Sequence, residues 1–288
     1  MIDAKYKSLF LWPATVVSVL LLIFAAVQAI MGGHDRLAWL GAALSSMPLP
    51  LFLLWLRVRP VERTSENLPS LLLVSATGLM IAAWEQFIEG VDAGGAVAVA
   101  ILDTGIMLAY VFWYSRFGRV ESGQLAVGSR LPEFTLKDAD GNDLRSTDLA
   151  GAPLVLLFYR GNWCPLCMAQ VREIVGRAAE LDDMGINVVL VSPQPGARTK
   201  SLANSHDVSF HFLVDTDNRL AEELGIGIEH GVPLGVGGGY ASRTVMPTVV
   251  ASNANGTIVF SDQTDNYRVR PEPDLFLAIL RRSQAIAR

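Results

Sequence analysis

Cys164 and Cys167 are the only thiols in a chain of 288 residues, and they stand three positions apart in the run FYRGNWCPLC, residues 158–167. Cys-x-x-Cys spacing suits redox chemistry or half of a zinc site. A structural zinc needs a further Cys or His pair. The chain has no other cysteine, and His206 and His211 do not resemble a finger, so the dithiol reading is carried forward with no metal and no other cofactor. A thiolate, not a thiol, attacks disulfides and peroxides, and free cysteine is mostly protonated at neutral pH. The apolar run PLVLLFY before the pair reads as a buried strand and the segment from Pro165 as a helix. Cys164 then falls at a helix N-terminus, whose free amides and dipole favour its anion. Pro165 suits the first turn, where its missing N–H costs nothing. Cys167 lies one turn on, within reach of Cys164. This assigns Cys164 as nucleophile and Cys167 as resolving thiol. Trp163 flanks the thiols, and Arg160 brings positive charge toward the nucleophile.

The elements that must hold this pair begin near Gln124. A short strand is expected at 134–136, with a turn at Asp140-Gly141. PLVLLFY follows, then a helix from Pro165 to about Asp183, the buried strand INVVLVS, and a helix at 197–205. FHFLVD and RLAEELGI give a strand and a helix. PTVVASNANGTIVF reads as a hairpin turning at Asn255-Gly256, and a last helix runs from about Pro273 to Ile286. Strands alternating with helices, then a hairpin and a helix, predict an α/β layered domain over residues 121–288.

A buried strand ending in Trp-Cys-Pro-x-Cys, with Pro-Thr and a hairpin much later, resembles the thioredoxin fold. The longer runs LPEFTLKDADGNDL, FYRGNWCPLCMAQ, VSPQP, SFHFLVDTDNRLAEELGI, MPTVVASNANGTI and YRVRPEP are similar to the peroxiredoxin-like redoxins, the alkyl-hydroperoxide-reductase and thiol-specific-antioxidant group. The resemblance implies that Pro247, at the place of the family's cis-proline, shapes the substrate pocket beside the motif with Thr248; sequence does not show its isomer. It also exposes departures. Peroxidases of this superfamily carry Thr or Ser three residues before the peroxidatic cysteine, where this chain has Gly161. Their pocket also holds an arginine near the strand that follows; Arg243 is close, at a different spacing, and Arg160 is the other candidate. Tyr267 and Arg268 either pack or line the site. The run GVPLGVGGGY at 231–240 lacks the ending of a phosphate loop and is expected to form a flexible loop near the site.

The first half of the chain is of another kind. Mean hydropathy is +0.36 and 51% of residues are hydrophobic, and the apolar excess precedes residue 120. Four stretches, 9–30, 37–56, 68–87 and 96–117, each reach the roughly 20 residues of a membrane-spanning helix. An all-α transmembrane bundle of four helices is therefore predicted over residues 1–120, the second helix kinked by Pro48 and Pro50. Lys5, Lys7, Arg57, Arg59, Arg63, Arg116 and Arg119 fall on one side and only Arg36 on the other. This asymmetry places both termini in the cytoplasm of a bacterial inner membrane. Glu85 and Asp103 are carboxyls in or near the spans; for Asp103, Thr104, Ser75 or Thr77 are the expected partners. No cysteine lies in the bundle, so it cannot relay electrons by thiol–disulfide exchange. His34 alone does not make a haem site.

A net charge of −5 offers no basic face for nucleic acid. The expected partners are the lipid bilayer and a thiol reductant such as thioredoxin or a low-molecular-weight thiol, with homo-oligomerisation left open. The expected activity is that of a membrane-anchored thiol peroxidase or thiol–disulfide oxidoreductase. The alternative is a redox sensor or interaction module that relays dithiol oxidation to the bundle.

Overall fold

The computed structural model describes residues 2–236 and 239–286; Gly237 and Gly238 of the glycine-rich run lie outside them. Contacts divide the chain into two compact units. Residues 9–59 and 65–116 form a helical unit, and residues 2–8, 60–64 and 117–286 form the other.

In the helical unit, four helical stretches are long and apolar enough to cross a membrane: 4–31, 36–58, 69–87 and 94–114. The first belongs to α1 (Ile2–Met31). The second is broken, as its prolines predict, into α2 (Arg36–Ser46) and α3 (Pro48–Val58). Pro48 has no N–H to continue the ladder, while Met47 keeps helical angles, so the helix bends rather than ends. α4 (Pro69–Phe87) and α5 (Gly94–Ala109) complete the unit, and α5 runs on into a wider turn at Tyr110–Tyr114. Small residues face inward: Ala25, Ala29, Ala38, Ala42, Ala82, Ala96 and Ala100 are buried. Large apolar ones such as Leu20, Ile23, Leu54, Leu73 and Ile101 point outward. α2 and α4 touch backbone to backbone, since a Cβ on Gly41 would lie 2.6 Å from the Gly78 carbonyl oxygen and one on Gly78 2.4 Å from that of Gly41. Asp103 accepts hydrogen bonds from Ser18 (2.6 Å) and Ser46 (2.5 Å). These are not the partners the sequence suggests: Ser75 and Thr104 bond each other at 3.1 Å instead.

The other unit is built on a seven-stranded sheet in the order β2-β1-β5-β4-β3-β8-β9. Its strands are β1 (Thr135–Asp138), β2 (Asp143–Arg145), β3 (Leu154–Phe158), β4 (Asn187–Ser192), β5 (His211–Val214), β8 (Thr248–Ser252) and β9 (Ile258–Asp262). β3, β4 and β5 are parallel, and β8 runs antiparallel to both β3 and β9. A two-stranded sheet, β6 (Gly227–Ile228) with β7 (Thr244–Val245), was not foreseen. β3 is central, and all five of its residues are buried. Leu154, Leu156 and Phe158 join Val189, Val191 and Leu213 in one cluster, as the two-residue strand period dictates. The expected long helix after the thiols is two: α6 (Pro165–Val175) and α7 (Ala178–Asp183), parted at Arg177, whose φ of −105° and ψ of 10° leave the helical region. α8 (Gly196–Ala203), α9 (Arg219–Glu223) and α10 (Pro273–Ile286) fall where the periodicity puts them. The β3–α6–β4 crossover beside the β8–β9 hairpin and its closing helix is a thioredoxin-like arrangement.

Candidate active site

β3 ends at Phe158, and Tyr159 extends its pairing by donating to the Val191 carbonyl at 2.9 Å. The chain then turns through Arg160, Gly161 and Asn162. Gly161 has φ +139°, a region that L side chains rarely adopt. The turn closes with Cys164 N–H on the Gly161 carbonyl at 3.1 Å. Gln194, just after β4, holds it from the side: its Oε1 accepts the Asn162 backbone N–H at 2.8 Å, and its Nε2 donates to Tyr159 and Thr199 hydroxyls at 3.0 and 3.2 Å. Tyr240 donates its hydroxyl to Asn162 Oδ1. Thr244, on β7, donates to the Arg160 carbonyl at 3.0 Å. The small unforeseen sheet thus fixes the approach to the thiols.

Cys164 occupies the N-cap of α6 with extended angles, and Pro165 opens the helix. Both thiols are free and buried, Cys164 at 2% exposure and Cys167 at 0%. They titrate as a pair. Burial opposes ionisation of Cys167, but hydrogen bonding from Cys164 and the Arg270 and Arg160 charges outweigh it and bring the Cys167 thiol down to about 6. Cys164 moves the other way, held well above its ordinary value by its hydrogen bond with Cys167, by burial and by the neighbouring charge. The first proton of the dithiol therefore leaves easily and the second with difficulty. The hydrogen bond from Cys164 and then the guanidinium of Arg270, whose Nη2 is 3.7 Å from Cys167 Sγ, favour the charge on Cys167, one turn deeper than the sequence suggests.

Around the pair stands a cationic and aromatic wall. The Arg160 guanidinium carbon lies 4.7 Å from the Trp163 ring centroid, 5.5 Å from Tyr267 and 5.9 Å from Phe117. Its Nη2 donates to the Gly231 carbonyl at 2.5 Å, so the glycine-rich run does reach the site. Gly231 is required there, since a Cβ would meet Thr244 Cγ2 at 2.4 Å. Thr248 pairs with Phe158 across the sheet beside the motif. Arg119 donates to the Pro247 carbonyl at 3.2 Å and to Thr248 Oγ1 at 2.9 Å. Every peptide bond among the described residues is trans, that before Pro247 included.

Residues 127–261 match the model of the AhpC/TSA family. Peroxiredoxin Q, chloroplastic, of Triticum aestivum is 31% identical over 104 residues, 36% of this chain and 48% of that protein. Peroxiredoxin Q, chloroplastic, of Populus jackii is 26% identical over 169 residues, 59% of this chain and 70% of that one. The chain thus spans about half the length of the wheat relative. Among solved structures, Peroxidoxin BcpB from Mycobacterium tuberculosis aligns with a TM-score of 0.46 and 20% identity, over 55% of this chain and 97% of that one. The C-terminal half of this chain is similar to the AhpC/TSA peroxiredoxins.

The site departs from the pocket that the resemblance implies in two places. No hydroxyl residue fits at Gly161, because φ is +139° and a Cβ would lie 2.8 Å from Trp163 Nε1. Arg243 turns toward Glu222 and Glu229, 3.7 Å from each, on an exposed edge. The arginine beside the thiols is Arg270, from the segment between β9 and α10, which sequence reasoning passed over in favour of its neighbours. Tyr267 packs under Arg160, while buried Arg268 donates to Thr64 Oγ1 at 2.8 Å. The only signal for Arg270 was its place in the run YRVRPEP.

Proposed function

We propose that this protein is a membrane-anchored thiol peroxidase that reduces hydroperoxides through the Cys164–Cys167 dithiol, with the redoxin facing the cytoplasm. The observation that carries it is the buried thiol pair at the N-terminus of α6 with Arg270 3.7 Å from Cys167 Sγ. Cys164 passes its proton to the Cys167 thiolate and attacks the terminal peroxide oxygen, the O–O bond breaks, and the leaving oxygen takes that proton as alcohol or water. Cys167 then displaces water from the Cys164 sulfenic acid to give the disulfide. A thiol reductant, thioredoxin or a small thiol, returns two electrons.

Membrane anchoring is supported by the inverted surface of the helical unit, small residues inside and large apolar ones outside. Its topology is supported by three segments that pack with the redoxin. The Ser8 carbonyl accepts the Leu234 N–H at 2.8 Å, Arg63 binds Glu173 at 2.5 Å, and Phe117 donates to the Asp265 carbonyl at 3.0 Å. The start of the chain, the link between the second and third spans, and the segment after the fourth therefore share one side. Lys5, Lys7, Arg57 and Arg59 make that side the cytoplasmic one.

The test is the second-order rate at which the reduced full chain in detergent reacts with hydrogen peroxide and with a lipid hydroperoxide. Fast oxidation that is abolished by Cys164→Ser, and that stops at sulfenic acid in Cys167→Ser, is the expected result. Reaction no faster than that of a free thiolate would sink the peroxidase reading. A second reading, disulfide exchange, is favoured by one observation: Gly161 leaves no room for the peroxide-holding hydroxyl. Rapid turnover of a protein disulfide with slow peroxide reaction would decide for it.

A further inference from the structure

Gly161 stands where a peroxide-binding hydroxyl is expected, and the Trp163 indole fills the space a side chain there would enter: the absent Cβ would lie 2.8 Å from Nε1 and 2.9 Å from Cδ1. Trp163 Nε1 is buried and meets no acceptor among the described residues. A buried donor left unpaired costs about 1–3 kcal/mol, so one retained beside reactive thiols points to an acceptor that arrives with a substrate. Two more donors share this state. Arg160 and Arg270, 7% and 6% exposed, each keep a buried Nε without an acceptor. Arg160 lies over the Trp163 ring at 4.7 Å and Arg270 Nη2 is 3.7 Å from Cys167 Sγ. The wall thus offers unmatched N–H groups, which suits a ligand made of oxygen lone pairs and repels an amine.

We infer that the Trp163 indole N–H replaces the missing hydroxyl and holds the hydroperoxide while Cys164 attacks it. This rests on the peroxidase reading. In the step, Cys164 gives its proton to the Cys167 thiolate, its sulfur bonds to the terminal oxygen, the O–O bond breaks, and the departing oxygen takes that proton and leaves as alcohol or water. Cys164 is oxidised to sulfenic acid and the peroxide is reduced. The indole keeps its proton and donates to the oxygen on which charge grows. A contact that strengthens toward the transition state raises the rate. Arg160 stacks on the ring and orients it.

Trp163→Phe keeps the ring and its stacking on Arg160 but removes the N–H. In the reduced full chain, the rate with hydrogen peroxide is expected to fall about tenfold, or about 1.4 kcal/mol, while alkylation of the dithiol by iodoacetamide is unchanged. Alkylation needs only the thiolate, so the ratio of the two rates within one preparation isolates the peroxide contact. Trp163→His, which retains a ring N–H, should keep a ratio above that of Trp163→Phe, or above that of Trp163→Leu if the Phe variant does not fold. Equal losses in both rates would mean that the indole acts through the thiolate, and an unchanged ratio that it does not touch the peroxide; either overturns the inference. Slow peroxide reaction of the parent would overturn the peroxidase reading and this contact with it, and would show before any variant was made.

Discussion

Arg270 reaches Cys167 across 103 residues of sequence, and its charge adds to the Cys164 hydrogen bond in lowering the Cys167 thiol. Removing it in Arg270→Met should raise the first thiol of the pair from about 6 toward its ordinary value near 9. Thiolate absorbance at 240 nm against pH measures this, and an unmoved midpoint would show that Arg270 is not the source. The same shift has a consequence for stability. Cys167 is held below its unfolded value, so its contribution is fully present above about 9 and is lost as pH falls through about 6. Cys164, held high, stabilises below its unfolded value and ceases to do so as pH rises through its folded one. The Tm of the reduced protein, relative to its disulfide form, should therefore climb between pH 6 and 9 and fall beyond. A flat difference across that range would contradict the assignment. Cys164, Cys167, Arg160 and Trp163 were legible because strand, motif and helix are contiguous. Arg270 was not, because a loop that folds back onto a site has no periodicity to betray it.

At the scale of elements, buried strands such as β3 and β4 were readable from unbroken apolar runs, and α10 from its Pro-Glu-Pro start. Two features escaped. The helix after the thiols breaks at Arg177, where ion pairs with Glu180 (3.0 Å) and Asp274 (2.7 Å) hold a non-helical residue; such pairs depend on tertiary neighbours. The α2–α4 crossing depends on Gly41 and Gly78, which single-helix hydropathy does not distinguish from other small residues. That crossing makes a prediction. Gly78→Ala places a methyl within 2.4 Å of the Gly41 carbonyl oxygen and should destabilise the helical unit by about 1–3 kcal/mol, the usual cost of overpacking. Gly105→Ala on α5, with nothing within 4 Å of the new carbon, is the control and should be neutral. Thermal unfolding in detergent, followed by far-UV dichroism, compares them. Equal behaviour of the two variants would refute close backbone packing at this crossing.

At the scale of the molecule, the proposed membrane anchoring turns on which side of a bilayer would hold the dithiol. Arg63 and Arg119, two of the basic residues in the charge asymmetry, have structural work in the redoxin: Arg63 on Glu173 at 2.5 Å, Arg119 on Thr248 and Pro247. Their positions alone therefore weigh less as topological signals than Lys5, Lys7, Arg57 and Arg59. What replaces that weight is connectivity. Residues 2–8, 60–64 and 117–286 belong to one compact unit, and the four spans proposed above would return all three segments to the same side. On that proposal the connections at 32–35 and 88–93 lie together on the opposite side. The chain has no cysteine besides the motif pair, so a Cys164→Ser, Cys167→Ser background leaves a clean host for single labels. Gly33→Cys, with open space at the new carbon, and Asp92→Cys, at an exposed residue, should react with a membrane-impermeant maleimide on spheroplasts, with the outer face of the inner membrane exposed. Glu62→Cys and Asp140→Cys, on the redoxin's side, should react only after the membrane is opened. Labelling in the reverse order would put the dithiol outside the cytoplasm, and the peroxidase reading would then need an extracytoplasmic reductant. A mixed result, with Gly33→Cys and Glu62→Cys labelled together, would break the four-span topology itself.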